Sequence, residues 1–254
     1  MRRWSRIAAT LIGLAVGPVA SQAPTPVTEI ATRLRIESPD NASPTWREER
    51  LEWRYRSAPR EVLIARAIRA RRFGRADSAY LLAGSRPIDA LTTGYAEWEG
   101  SENHSFLPRD GLYLRARREL GQGWGVIGGA RHRRYNVANV NIASLAVDRY
   151  IGAYRAAFTM TSSHSDTAGN GGTRRAQLIY YYGRGSLIQG SLSGGTEVEK
   201  IPPNGPILTL PVATARLSGR HWLSPRWGID YAAARARVGR VTRAVLSAGV
   251  RYRY

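Results

Sequence analysis

The stretch "SAGVRYRY" at residues 247–254 alternates two kinds of side chain. Ala248, Val250, Tyr252 and Tyr254 fall on every second position, with Gly249, Arg251 and Arg253 between them. A period of two belongs to a β-strand, with one apolar and one basic face. A strand with a bare edge invites pairing with other chains. The rest of the sequence must supply its neighbours.

Several other segments share the pattern. "EIATRLRIE" (29–37) opposes Ile30, Leu34 and Ile36 to Arg33, Arg35 and Glu37. "REERLEWRYR" (47–56) opposes Leu51, Trp53 and Tyr55 to Glu48, Arg50, Glu52 and Arg54. "GLYLRARREL" (111–120) sets Leu112, Leu114 and Ala116 against Tyr113, Arg115 and Arg117, and "YRAAFTMT" (154–161) sets Phe158 and Met160 against Arg155 and Thr159. "REVLIARAIRA" (60–70) fits either register, so its faces stay unassigned. About 14 strands follow along the chain, with 12 as the alternative. Ten residues at about 3.3 Å each, tilted near 45°, project to roughly 24 Å, close to the apolar band of a transmembrane barrel.

Composition narrows the class. The chain has 254 residues, no cysteine and a formal charge of +19. Lys200 is the single lysine among 38 basic residues. Without cysteine there are no disulfides and no Cys-ligated metal. Such a charge alone would point to nucleic acid or an anionic membrane. The start decides between them. "MRRWSR" is a basic segment, "IAATLIGLAVG" a short apolar one, and "PVASQA" offers small residues for cleavage. Residues 1–23 therefore read as a secretory signal peptide, cleaved after Ala20 or Ala23. The apolar run is too short for a membrane-spanning helix, which needs about 20 residues. Export argues against a nucleic-acid partner.

The expected architecture is all-β: an antiparallel transmembrane β-barrel over 28–254, after the signal peptide and a lead-in at 24–27. "SAPR", "RPID", "LGQG", "VDRY", "YGRGS" and "LSPR" read as short turns at one rim. "SPDNASP", "ENHSFLPRD", "SSHSDTAGNGG" and "EVEKIPPNGPI" read as longer loops at the other, the asymmetry that such barrels show. Trp124, Trp227, Trp222 and Tyr150 are expected at the membrane interface of the short-turn rim, and Trp46 and Trp98 at the opposite one. A soluble β-sandwich is the competing fold, but it would not place so many arginines on its wet face with so few lysines. In the barrel the first strand pairs with the last and no edge remains.

The lumen is then lined by Arg33, Arg35, Glu37, Glu48, Arg50, Glu52, Arg54, Arg115, Arg117, Arg131, Arg133, Arg155, Arg216, Asp230, Arg251 and Arg253. Acidic and basic rows on the first two strands are expected to pair across the strands. Arg–carboxylate networks would plug or narrow the bore; an excess of Arg would favour anions. Two other functions are open. A lipid-modifying enzyme would need Ser and His together, and His104 and His164 have Ser105, Ser163 and Ser165 nearby, while His132 lies on a strand and His221 sits beside Trp222. An envelope adaptor would bind a partner or polysaccharide through its loops, above all 197–207. No metal or cofactor is expected.

"SFLPRDGLYLRARRELGQGWGVIGGARHRRY" (105–135), "VDRYIGAYRAAF" (147–158) and "RRAQLIYYY" (174–182) resemble the YaiO-type outer-membrane β-barrel family. The matching features are Leu107–Pro108 before a strand, Gly123–Trp124 opening the next, Gly129 and Arg131 toward its end, and Tyr150, Gly152 and Tyr154 around a turn. The resemblance implies an outer-membrane barrel. It implies no established catalytic or transport activity, so no functional residues carry over. Val250, Tyr252 and Tyr254 look like the signal read by the barrel-assembly machinery. Lipid and that machinery are the expected partners.

Overall fold

The computed structural model describes residues 26–41, 43–183, 185–200 and 207–254. The expected signal peptide (1–23), the first half of the lead-in (24–25) and positions 201–206 of the 197–207 loop lie outside them. Among the described residues there are fourteen strands and no helix. They are β1 (Val27–Pro39), β2 (Trp46–Ala58), β3 (Glu61–Arg72), β4 (Arg75–Pro87), β5 (Thr92–Ser101), β6 (Asp110–Gly121) and β7 (Trp124–Arg134). Then follow β8 (Asn139–Ile151), β9 (Tyr154–Ser165), β10 (Gly169–Tyr182), β11 (Ser186–Lys200), β12 (Ile207–Trp222), β13 (Trp227–Val238) and β14 (Val241–Arg253). Each strand pairs antiparallel with its neighbours in sequence, and β1 pairs with β14 from Glu29↔Arg253 to Pro39↔Arg243. The barrel is closed and every strand has two partners.

Register divides the side chains into two sets. Outside stand Leu51, Leu82, Leu114, Phe158, Leu178, Leu217 and Leu246, all exposed. In water that surface would be untenable; in lipid it is solvated. The inside carries the charged positions. β3, unreadable from sequence, places Val62, Ile64, Arg66, Ile68 and Ala70 inward, because they pair with Arg56, Arg54, Glu52, Arg50 and Glu48.

The rim carrying the start of β1 and the end of β14 has connections at 59–60, 88–91, 122–123, 152–153, 183–185 and 223–226. The opposite rim has the longer ones, 40–45 and 102–109. Shorter turns face the periplasm in this architecture, so the first rim is called periplasmic below. The length asymmetry is smaller than the sequence suggested. "SSHSDTAGNGG" is mostly ladder, with a turn only at 166–168, and "EVEK" belongs to β11. Strands project past the apolar band, where both faces are polar and alternation no longer marks them. "VDRY" is likewise strand, and the turn comes at 152–153.

The aromatic positions also need correcting. Trp124, Trp227 and Trp98 do face outward. Outward Tyr154, Tyr180 and Tyr182 stack in a row at the periplasmic rim, and Tyr252 packs on Trp227 at 4.7 Å and Tyr254 at 4.8 Å. Trp46, Trp222 and Tyr150 point the other way. Trp46 is 5% exposed and has the same parity as Glu48. Trp222 sits under Arg253 at 3.8 Å, and Tyr150 lies beside Tyr181 and near Arg155.

Candidate functional site: the arginine-lined lumen

All sixteen charged positions singled out from the sequence share the inward register, but the structure groups them into three kinds of environment.

The periplasmic end is a dense network. Arg251 is 3% exposed and reaches Asp230 at 3.0 Å, Glu29 at 3.0 Å and Glu52 at 3.5 Å. Glu52 also holds Arg66 at 2.7 Å and Arg54 at 3.2 Å. Asp230 holds Arg220 at 3.1 Å and Arg33 at 3.4 Å, and Glu29 holds Arg253 at 2.9 Å. Charges removed from water in this way persist only when partnered. On the opposite wall of the same end, Asp148 takes Arg155 at 2.6 Å and Arg117 at 3.2 Å.

The second environment is the wall of β5 to β7. Arg131 binds Glu97 at 2.8 Å while lying over the Tyr113 ring at 4.4 Å. Arg133 binds Glu99 at 2.6 Å, and Arg115 lies over the Tyr95 ring at 4.7 Å. Toward the outer mouth, Arg35 and Arg243 share Glu37, and Arg243 and Arg72 stack on Trp46, which meets Phe73 edge-on. The 102–109 connection folds inward here. Buried Asp77 accepts the backbone N–H groups of Phe106 and Leu107 at 2.8 and 2.9 Å, and Ser101 donates to the Pro108 carbonyl at 2.6 Å.

Many of these pairs skip a strand, and small residues beneath them make that possible. Arg117–Asp148 crosses Gly125, Glu99–Arg133 crosses Gly111 and Arg33–Asp230 crosses Gly249. A Cβ on Gly125 would sit 2.7 Å from Arg117 Nη2, and one on Gly111 2.8 Å from Glu99 Oε1. Arg251–Glu52 likewise crosses Ala31. The expected pairing between β1 and β2 is not what forms. Arg33 faces Arg50, and among the described residues the pairs there run along one strand, Arg35–Glu37 and Arg50–Glu48. An i, i+2 partner on the same face is close enough for a long arginine, and it leaves the facing arginine row intact.

The third environment is the wall of β10 to β14. It bounds a cavity of about 550 Å³. Ser191, Ser193, Thr214, Ser218, Ala234 and Ala236 keep it open, and its charged lining includes Arg35, Arg175 and Arg216 with Glu37 and Glu197. Among the described residues, Arg175 and Arg216 have no carboxylate within ion-pair distance.

Sequence reasoning missed Glu29, Glu97, Glu99, Asp148, Arg66, Arg175 and Arg220. Most were readable: Glu97 and Glu99 alternate with Ala96 and Trp98, and Glu29 has the parity of Arg33. Asp148 was hidden by reading "VDRY" as a turn. Of the Ser–His pairings in the enzyme reading, the one at His164 does not assemble. His164 faces outward and meets Asn170 at 2.8 Å, while Ser163 and Ser165 face inward. His132 is likewise outward, on Asn141, His221 contacts the Tyr182 hydroxyl, and His104 lies against the Ser101 carbonyl.

Comparison with known proteins agrees with this architecture. The model of the YaiO membrane β-barrel domain matches residues 28–199. The chain therefore belongs to that family of outer-membrane β-barrels. Among solved structures, a bacterial polysaccharide outer membrane secretin aligns with a TM-score of 0.56 at 12% identity, covering 89% of this chain and 98% of that one. The CymD monoaromatic hydrocarbon channel aligns at 0.55 and 9% identity, covering 90% and 87%. Omp33 of Acinetobacter baumannii aligns at 0.52 and 10%, covering 90% and 99%. Identities this low establish the shared fold alone. No curated protein matches.

Proposed function

We infer that the barrel contributes to the permeability of the outer membrane through a mostly plugged lumen whose residual passage prefers anions. The periplasmic network and, at the outer mouth, Trp46 with Phe73 and with Phe106 across the Arg72 guanidinium narrow the two ends. Between them, Arg175 and Arg216, which among the described residues have no carboxylate within ion-pair distance, line a cavity of about 550 Å³ that Glu37 and Glu197 also border; this observation carries the inference. Rings of arginine favour anions, and low-dielectric walls strengthen their field. The hydroxyls of Ser191, Ser193, Thr214 and Ser218 can replace part of a small anion's hydration. Val250, Tyr252 and Tyr254 form, in this proposal, the outward strip read by the barrel-assembly machinery.

Single-channel recordings in planar bilayers under a KCl gradient test the passage. The expected result is small conductance steps with an anion-selective reversal potential. The double variant R175A/R216A should reduce the selectivity. Cation preference, or no steps at all, removes the passage and leaves a structural role.

A further inference from the structure

The lipid-facing side of β12, β13 and β14 carries a basic groove. Arg235 and Arg237 point outward, flanked by Ala215 and Ala213 on β12 and by Ala244 and Thr242 on β14. Arg240, in the turn at the outer rim, completes the group. The three line a groove of about 540 Å³ floored by small side chains. Through Leu192, Ala215 and Arg235 it adjoins a larger apolar groove of about 1130 Å³. That second groove runs down the barrel between Phe158, Leu178, Leu217 and Leu246, over Ala176 and Gly190.

Of the other outward arginines near this rim, Arg47 and Arg134 have acidic company, whereas among the described residues Arg69, Arg71 and Arg174 form no ion pair and lie away from this groove. Arg47 pairs with Glu49 at 2.8 Å, and Arg134 with Asp110 at 2.7 Å. Among the described residues, Arg235, Arg237 and Arg240 have no carboxylate within ion-pair distance. Three bare guanidiniums near the outer rim, beside an apolar trough, fit an anionic amphiphile with more than one phosphate. We propose that this face is a docking site for a phosphorylated glycolipid of the outer leaflet. Its phosphates lie on Arg235, Arg237 and Arg240 through charge-assisted, bidentate hydrogen bonds. Its acyl chains lie in the groove that Ala213, Ala215, Ala176 and Gly190 leave open.

Native mass spectrometry of the barrel in zwitterionic detergent tests this. The probes are a hexa-acylated, bisphosphorylated lipid A, its dephosphorylated form, phosphatidylethanolamine and inorganic phosphate. The wild-type barrel should retain one bisphosphorylated glycolipid in preference to the other three. R235A/R237A/R240A should lower that retention about tenfold or more. A second variant, A215W, fills the groove with its charges intact and should also lower retention. Heat-modifiable electrophoretic mobility, the mark of a folded barrel, should persist in both. The proposal is overturned if the triple variant retains the glycolipid as well as wild type does. Equal retention of the dephosphorylated lipid or of phosphatidylethanolamine, adducts with inorganic phosphate only, or occupation of this face by a second copy of the chain overturns it too.

Discussion

Two regions of the same lumen use arginine in opposite ways. At the periplasmic end, Arg251 is buried among Glu29, Glu52 and Asp230, and almost every neighbouring arginine shares one of those carboxylates. On the β10 to β14 wall, Arg175 and Arg216 face a cavity whose lining mixes hydroxyls and methyls with other charged groups, Glu37 and Glu197 among them. The first arrangement fastens the first strand to the last. In the proposed function, the second leaves positive charge available to an entering anion. One residue type can therefore serve as a cross-link or as an attractive field, and the count of nearby carboxylates decides which.

The contrast is broken most directly by truncation. Arg251→Ala removes the buried guanidinium that Glu29, Glu52 and Asp230 share, although each keeps another arginine. It should destabilise the barrel by about 1–3 kcal/mol, read as a lower midpoint of urea unfolding in lipid vesicles. Arg216→Ala should leave that midpoint unchanged or raise it slightly, because it removes like-charge repulsion. Equal losses in both variants would dissolve the distinction.

An effect of similar size is expected where a glycine lies under a strand-skipping pair. Gly125→Val places a side chain between Arg117 and Asp148 and should cost about 1–3 kcal/mol. At the outward-facing Gly128 an added methyl would meet no atom within 4 Å, so Gly128→Ala serves as the neutral control. If both changes are silent, the small residues beneath the pairs are incidental.

The smallest effect belongs outside the membrane. In the periplasmic 88–91 turn, Asp89 accepts the backbone N–H groups of Leu91 and Thr92, both at 2.7 Å. The Leu91 N–H, foremost, and then the Thr92 hydroxyl hold its carboxyl below the ordinary aspartate range. A depressed folded-state value means that the contribution is present above the unfolded pKa and disappears as pH falls through the folded one. Asp89→Asn should therefore speed amide exchange at Leu91 and Thr92 relative to wild type at pH 7, and the two proteins should converge in acid. A difference that persists unchanged in acid would show that charge on Asp89 is irrelevant to the turn.

Much of this molecule was legible in sequence, and what was not has physical reasons. Closure, strand number and membership of the YaiO family followed from alternation and a few turn motifs. The parity of Arg33, Glu52 and Arg251 followed as well, because each sits between residues that lipid accepts. Trp46 and Trp222 were misplaced although their parity with Glu48 and Arg220 was visible. Aromatic rings suit both a membrane interface and a cation-lined interior, so residue type outweighed position. β3 stayed ambiguous because Ile64 and Ile68 inside match Leu63 and Ala67 outside in polarity. The strand-skipping pairs were beyond reach: Arg117–Asp148 depends on the registers of β6, β7 and β8 together with the missing side chain at Gly125. The open cavity was likewise invisible, since it arises from serines and alanines on β11, β12 and β13 facing arginines of β1 and β10.

The absence of native cysteine allows the central claim, lipid outside and guanidinium within, to be tested at two adjacent residues. Single-cysteine variants Arg216→Cys and Leu217→Cys would be treated in intact outer-membrane vesicles with a small, negatively charged thiol reagent that cannot enter lipid. Labelling at 216 with protection at 217 is the predicted result; labelling at 217 with protection at 216 would contradict the account.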